Sequence, residues 1–405
     1  MNGFLDVVLL VLTVALALPV GVLLIECGVA FVSRQENPKG QHLPESQTSE
    51  TKVSVLIPAH DEALQIQGTL EGLLPQVQRS EQIVVVADNC SDETAAIARQ
   101  LGVTVLERQN LEQRGKGYAL DYGLEFLARN SSAGPPNVLV MVDADCRVEP
   151  GTVSRIAQLA QDSQRPVQAL YLMETPANPS SKDSISALAF LVKNQVRPQG
   201  LLHLGVPCAL TGTGMAFPWV SLQGISLASG NIVEDMQLGI DLAIAGFPPL
   251  FCPEAMVIGI LPQQEQAATR QRTRWEHGHL QLILGQAPRL IQAAIQQRRW
   301  DLLAMALDLS VPPLSLLVML WLGVTALTGL ALFFGMAWQP FVLSVIEGGL
   351  LLLAVALAWL KFGQDQVPLK TLLSIPGYIL WKIPLYFAFL FKRQQEWVRT
   401  DRDST

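Results

Sequence analysis

Cysteine pairs are missing from this chain. Its five cysteines, at positions 27, 90, 146, 208 and 252, are odd in number and contain no Cys-x-x-Cys spacing. That pattern indicates neither a disulfide framework nor a zinc site, and reduced thiols suit a cytosolic domain. Charge is also scarce: 16% of the 405 residues carry one, and the net charge is −7 with no basic stripe. No nucleic-acid partner is expected from such a balance. A basic segment ahead of the first apolar run is absent too, and that run is too long for the core of a cleaved signal peptide, so it reads as an anchor.

What the chain has in excess is apolar residues, half of the total, with a mean hydropathy of +0.31. They are concentrated. Residues 7–25 and 310–346 carry no charge, and 341–360 carry only Glu347. About 20 apolar residues cross the bilayer core, which predicts helices near 5–26, 314–335 and 341–360. Arg34 and Lys39 follow the first helix and nothing basic precedes it, so the following domain is expected on the cytoplasmic side. Residues 372–391 are apolar but interrupted by Pro376, Gly377, Lys382 and Pro384; they read as interfacial or re-entrant, with a further crossing as the rival. The expected division is an N-terminal anchor (1–34), a linker (35–51), a catalytic domain (52–275) and interfacial amphipathic helices (276–313). Two membrane helices (314–361) and an interfacial segment with a cytoplasmic tail (362–405) complete it, giving a multi-pass protein of a bacterial-type cytoplasmic membrane.

From residue 52 short β-branched runs (53–57, 83–87, 103–106, 138–142) alternate with helical stretches (63–74, 92–101, 118–128). Such alternation predicts an α/β domain with a parallel sheet covered on both faces, whose ligands bind beyond the carboxyl ends of the strands. Acidic residues collect there: Glu62 after the first strand, Asp88 after the second, and Asp143-Ala144-Asp145 after the fourth. Asp92 reads as a helix cap, but four carboxylates at one edge repel each other unless a cation joins them. Two carboxylates one residue apart offer the hard oxygen ligands that Mg²⁺ or Mn²⁺ takes, together with a diphosphate. Arg114-Gly115-Lys116-Gly117 lies at the same edge, where glycines admit an anion and the ammonium supplies charge.

Asp88, Asp143-Ala144-Asp145, Glu234-Asp235 and Gln271-x-x-Arg274-Trp275, in that order and followed by apolar helices, resemble the inverting glycosyltransferases of family 2. The branch is the membrane-embedded one of cellulose, chitin, hyaluronan and poly-N-acetylglucosamine synthases, with ceramide-type lipid glucosyltransferases related. The likeness covers roughly residues 50–300. It implies a GT-A fold, a Rossmann-like and mostly parallel sheet, on a cytoplasmic domain flanked by N- and C-terminal membrane helices. It also implies a nucleotide-sugar donor, of the UDP-sugar class, and a Mg²⁺ or Mn²⁺ cofactor. Glu62 and Asp88 would contact the nucleoside and Lys116 the diphosphate; Asp143 and Asp145 would meet donor and metal, Asp145 most directly. Asp235 would be the general base, with Glu234 an orienting neighbour. Gln271, Arg274 and Trp275 would line the pyrophosphate and acceptor pocket, which the loop containing Thr213 and Gly214 approaches.

The chemistry of these residue types agrees. A sugar hydroxyl needs a base to attack an anomeric carbon, and the departing diphosphate needs positive charge. The acceptor reads as a glycan or a lipid near membrane lipid, and a partner chain for export is compatible with the few helices. A membrane-bound nucleotidyltransferase is the alternative, since it shares the sheet and acidic site; a scaffold with an inactive domain is the third reading. Glu276, His277 and His279 lack the i, i+4 spacing of a zinc helix, and the histidines read as surface or hydrogen-bonded residues.

Overall fold

A computed structural model describes residues 2–33, 51–130, 134–174, 179–228, 233–259 and 265–391. The expected linker and the basic tail after Phe391 lie outside these residues. The chain divides into two compact units, one of Met1–Arg34, Thr175–Val206 and Glu276–Gln394, the other of Gln35–Glu174 and Pro207–Trp275.

The second unit is built on one sheet. Its strands are β1 (Val53–Ala59), β2 (Ile83–Asp88), β3 (Thr104–Arg108), β4 (Val138–Met141), β5 (Cys146–Val148), β6 (Val167–Met173), β7 (Met215–Pro218) and β8 (Leu250–Gly259), in the order β3-β2-β1-β4-β7-β6-β8-β5. The strands β1 to β4 are mutually parallel, as the alternating pattern predicts. Their side chains divide by the two-residue period of a strand. Val55, Ile57, Val85 and Val140 enter one apolar cluster, and Leu56, Val84, Val86, Leu139 and Met141 enter another. Both faces are thus covered, which is why β2 and β4 read as unbroken apolar runs.

Beyond β4 the sheet changes direction. β7 pairs antiparallel with β4, and the register sets Met141 opposite Met215. The start of β7 therefore meets the end of β4, bringing the loop before Met215 to the edge where Asp143 emerges.

The first unit is helical. Three of its helices, Phe4–Val32, Leu314–Phe333 and Gln339–Gly363, are long and apolar enough to cross a membrane. They leave large apolar side chains exposed, among them Val11, Leu327 and Leu352. Asp6 accepts a hydrogen bond from the Ala337 N–H at 3.0 Å. Farther along, Lys361 Nζ donates to the carbonyl of Ala30 at 2.7 Å, so the first and third of these helices run side by side in the same direction.

Residues of the chain's middle belong to this unit as well. Ser181–Leu191 is a helix whose N-cap Ser180 and Asp183 form a reciprocal capping box. The segment continues through a π-turn into Arg197–His203. Arg197 is buried between two carboxylates, 2.6 Å from Glu26 and 2.6 Å from Asp308. Gly200 packs so tightly on the first helix that a Cβ there would lie 2.2 Å from the carbonyl oxygen of Glu26.

Candidate active site

The site grows from four chain segments that meet at one edge of the sheet. At the end of β4, the Asp143 N–H donates to Thr213 Oγ1 at 3.0 Å, so the loop before β7 is pinned to the acidic pair. Lys116, the first residue of the helix Lys116–Asn130, donates through Nζ to the carbonyl of Gly212 at 2.6 Å and forms an ion pair with Asp143. The helix Glu234–Ile244 begins with the two remaining acids, where a helix N-terminus favours negative charge.

Gly212 and Gly214 have φ of +95° and +64°, the left-handed region that glycine tolerates best. A Cβ on Gly212 would stand 3.1 Å from Asp235 Oδ2 and 3.5 Å from Lys116 Nζ. The bare backbone thus lets loop, carboxylate and ammonium close around one point. At Gly214 a Cβ would lie 2.7 Å from Val257 Cγ2, so the sheet itself requires glycine there.

The electrostatics are those of acids in excess. Burial pushes the Glu234 carboxyl up to about 7, Lys116 opposing and Asp235 adding to the shift. Burial likewise raises Asp143, against the pull of Lys116 and with the push of Asp145. Burial disfavours the charged Lys116, but Asp143, Glu234 and Asp235 outweigh it and hold the ammonium above its ordinary range. One cation among four carboxylates leaves the cluster short of positive charge. A divalent ion with oxygen preference fits this set.

The part of the edge beyond β2 is arranged differently. Asp88 is buried, and its Oδ1 is 2.6 Å from Arg108 Nη1. Its carbonyl lies 2.7 Å from the His60 ring. Glu62 sits between these segments, its N–H donating to Thr94 Oγ1 at 2.8 Å. Asp92 lies one residue ahead of Glu93, the N-cap of the helix Thr94–Gln100, and accepts from the N–H groups of Thr94 and Ala63. Asp61, Cys90 and Asp92 come close enough to hold an ion. Asp61 nonetheless accepts from both the N–H and the hydroxyl of Ser91, so these carboxylates are already used to lock two loops together.

Residues 51–278 match the family described as glycosyltransferase like family 2. The chain belongs to that family. Among solved structures it is similar to a mannosyltransferase from Pyrobaculum calidifontis in complex with GDP-Man and Mn²⁺, at 16% identity over 95% of this chain and 100% of that one, with a TM-score of 0.52. It also matches glucosyl-3-phosphoglycerate synthase from Mycobacterium tuberculosis, at 19% identity over 56% of this chain and 80% of that one, with a TM-score of 0.39. No curated protein sequence matches it. The first likeness establishes the fold, that of the GT-A glycosyltransferases.

In this glycosyltransferase fold Gln271, Arg274 and Trp275 lie on the long helix Glu265–Gln297. Gln271 is buried with its Oε1 unbonded, and Arg274 and Trp275 are half-buried. Sequence reasoning missed Arg108 and Gln168. Arg108 ends β3, so the strand-end rule that found Asp88 could have reached it. Gln168 Nε2 donates to the Thr213 carbonyl at 2.9 Å and Oε1 accepts from the Thr211 N–H at 2.8 Å. It holds the whole glycine loop in shape. Its only signal was a polar residue inside an apolar strand.

Proposed function

We propose that this chain is a metal-dependent, inverting hexosyltransferase that moves a sugar from a nucleotide sugar to a hydroxyl of a glycan or lipid acceptor at the cytoplasmic face of a membrane. The observation that carries the reading is the ring of Asp143, Glu234 and Asp235 around Lys116, closed by the Gly212 backbone. In the reaction an acceptor oxygen attacks the anomeric carbon. The bond from that carbon to the diphosphate breaks, and its electron pair leaves with the nucleoside diphosphate.

Asp235, whose Oδ2 lies against the Gly212 backbone, takes the acceptor proton, with Glu234 beside it as an orienting neighbour at the start of the same helix. Lys116 is placed to meet the charge that develops on the departing diphosphate. Asp143 and Asp145 would hold Mg²⁺ or Mn²⁺, which when bound supplies further charge stabilisation to that leaving group. Glu62 and Asp88 would bind the nucleoside, with Arg108 fixing the Asp88 carboxylate. The solved mannosyltransferase holds GDP-Man, which supports a nucleotide sugar as the donor here. The three apolar helices would anchor the domain beside its acceptor.

Membranes containing the chain, incubated with UDP-glucose, UDP-N-acetylglucosamine and GDP-mannose, should release nucleoside diphosphate, lose that release in EDTA and regain it with Mn²⁺ or Mg²⁺. Release of pyrophosphate instead would identify the nucleotidyltransferase alternative.

A further inference from the structure

Within the sheet unit, β6 and β7 pair antiparallel at Val167–Ala216 and Gln168–Met215. One step farther the Ala169 N–H donates to the Gly214 carbonyl at 2.8 Å. The side chain of Gln168 carries the pairing on from there. Its Oε1 accepts from the Thr211 N–H at 2.8 Å, and its Nε2 donates to the carbonyls of Thr213 at 2.9 Å and Ala169 at 2.8 Å. Gln168 is only 2% exposed.

A buried carboxamide is costly unless its donors and its acceptor are met. An apolar side chain of the same length would fill the space between Val167 and Ala169 without that cost, so the strand itself has no use for the amide. The loop has one. Thr211 and Thr213 stand immediately before and after Gly212, and one planar amide holds the N–H of the first and the carbonyl of the second. Gly212, with φ of +95°, has the widest backbone freedom of any residue type, and a bracket on both sides removes it. The bracketed residue is the one that meets the reacting groups: its carbonyl accepts from Lys116 Nζ at 2.6 Å, and a Cβ on it would lie 3.1 Å from Asp235 Oδ2. Thr213 is held a second time through the Asp143 N–H, 3.0 Å from its Oγ1.

We infer that Gln168 is a positioning residue for glycosyl transfer: by bracketing Gly212 it fixes the backbone that lies between Asp235 and Lys116, and so the place of the base relative to the leaving-group cation. The inference rests on the roles proposed above for those two residues. Its effect belongs to turnover rather than to donor capture, because Asp88, Asp143 and Asp145 are carried by β2 and the end of β4.

The test uses the full chain in membrane vesicles, with nucleoside diphosphate release measured on the nucleotide sugar, of the three above, that the wild-type protein uses. Gln168→Met keeps the length of the side chain and removes all three bonds. It should lower kcat by about 10²-fold, the scale of a small misplacement of a reacting group, and leave donor KM within about threefold. Gln168→Glu keeps the acceptor for Thr211 and loses the nitrogen that donates to two carbonyls; it covers the case in which Gln168→Met fails to fold, and it should lower kcat by at least about tenfold. Amide hydrogen exchange on the same proteins supplies a readout independent of activity: in Gln168→Met the segment containing Thr211 should lose protection while β1 and β2 keep theirs. Wild-type kcat in either variant, or unchanged protection of Thr211, overturns the inference. So does a loss of protection that spreads through β1 and β2 with kcat and KM shifting together, which is the mark of a purely structural residue. A wild-type protein that releases nucleoside diphosphate from none of the three sugars would overturn the proposed function and the role in transfer with it, while the exchange result would still show whether Gln168 holds the loop.

Discussion

Lys116 donates to the carbonyl of Gly212 at 2.6 Å while its ammonium pairs with Asp143, so one side chain joins the start of a helix, the end of β4 and the loop before β7. Lys116→Met keeps the length of the side chain and removes its charge. Turnover should fall by about 10²–10³-fold, as for loss of a preorganised donor to a developing anion, measured as nucleoside diphosphate release. A variant with wild-type turnover would remove Lys116 from the leaving-group site.

Asp235→Asn preserves shape and abolishes basicity. Turnover should drop by about 10²–10⁴-fold with donor affinity nearly unchanged, as measured by titration of the nucleotide sugar. An affinity loss equal to the rate loss would make Asp235 a pocket residue and move the base elsewhere.

In the helical unit, Arg197 compensates Glu26 and Asp308 together. Arg197→Met leaves two buried carboxylates without a counter-charge and should destabilise by about 3–5 kcal/mol, read as a lower thermal midpoint in detergent. Gly200→Ala should act on the same contact, because its Cβ would run into the Glu26 backbone. Both variants at the wild-type midpoint would show that the first helix is held by other contacts.

His279 is buried, and burial together with Lys193 and Arg197 holds its imidazole well below the ordinary range. The neutral ring is thus the folded form, while the unfolded chain takes up a proton near pH ~6.5. Its contribution to stability is complete above that pH and is lost as pH falls through it. Wild-type protein should lose thermal stability between about pH 7.5 and about pH 5, and His279→Gln should lose less over the same interval. Parallel curves for the two proteins would assign the acid sensitivity to other groups.

Membrane topology can be read by labelling. With the domain on the cytoplasmic side, a cysteine introduced beside Gln339 should react with an impermeant reagent in intact cells, and one beside Ser404 should not. Reaction beside Ser404 would show that the segment 372–391 crosses the bilayer as a further span.

Much of this arrangement was legible in the residues. The parallel half of the sheet followed from alternating apolar runs, because strands covered on both faces are uniformly apolar and their polar ends mark the ligand edge. The apolar helices followed from length and the absence of charge, which the bilayer demands of any span. Asp143 and Asp145 stood out because two carboxylates at one strand end repel each other without a reason to be there.

Tertiary structure alone decided the rest. That β7 runs against β4, and so delivers Gly212, Thr213 and Gly214 to Asp143, depends on pairing between segments about seventy residues apart, which no local period records. Likewise, no local pattern assigns residues 175–206 to the helical unit. Glu26 and Asp308 are matched to Arg197 across still longer separations, and Arg108 to Asp88 across two neighbouring strands. Local sequence sets which groups must be buried or paired, through desolvation and backbone preference. Which charge answers which depends on distance in the folded chain, and distance exists only once the sheet and helices have packed.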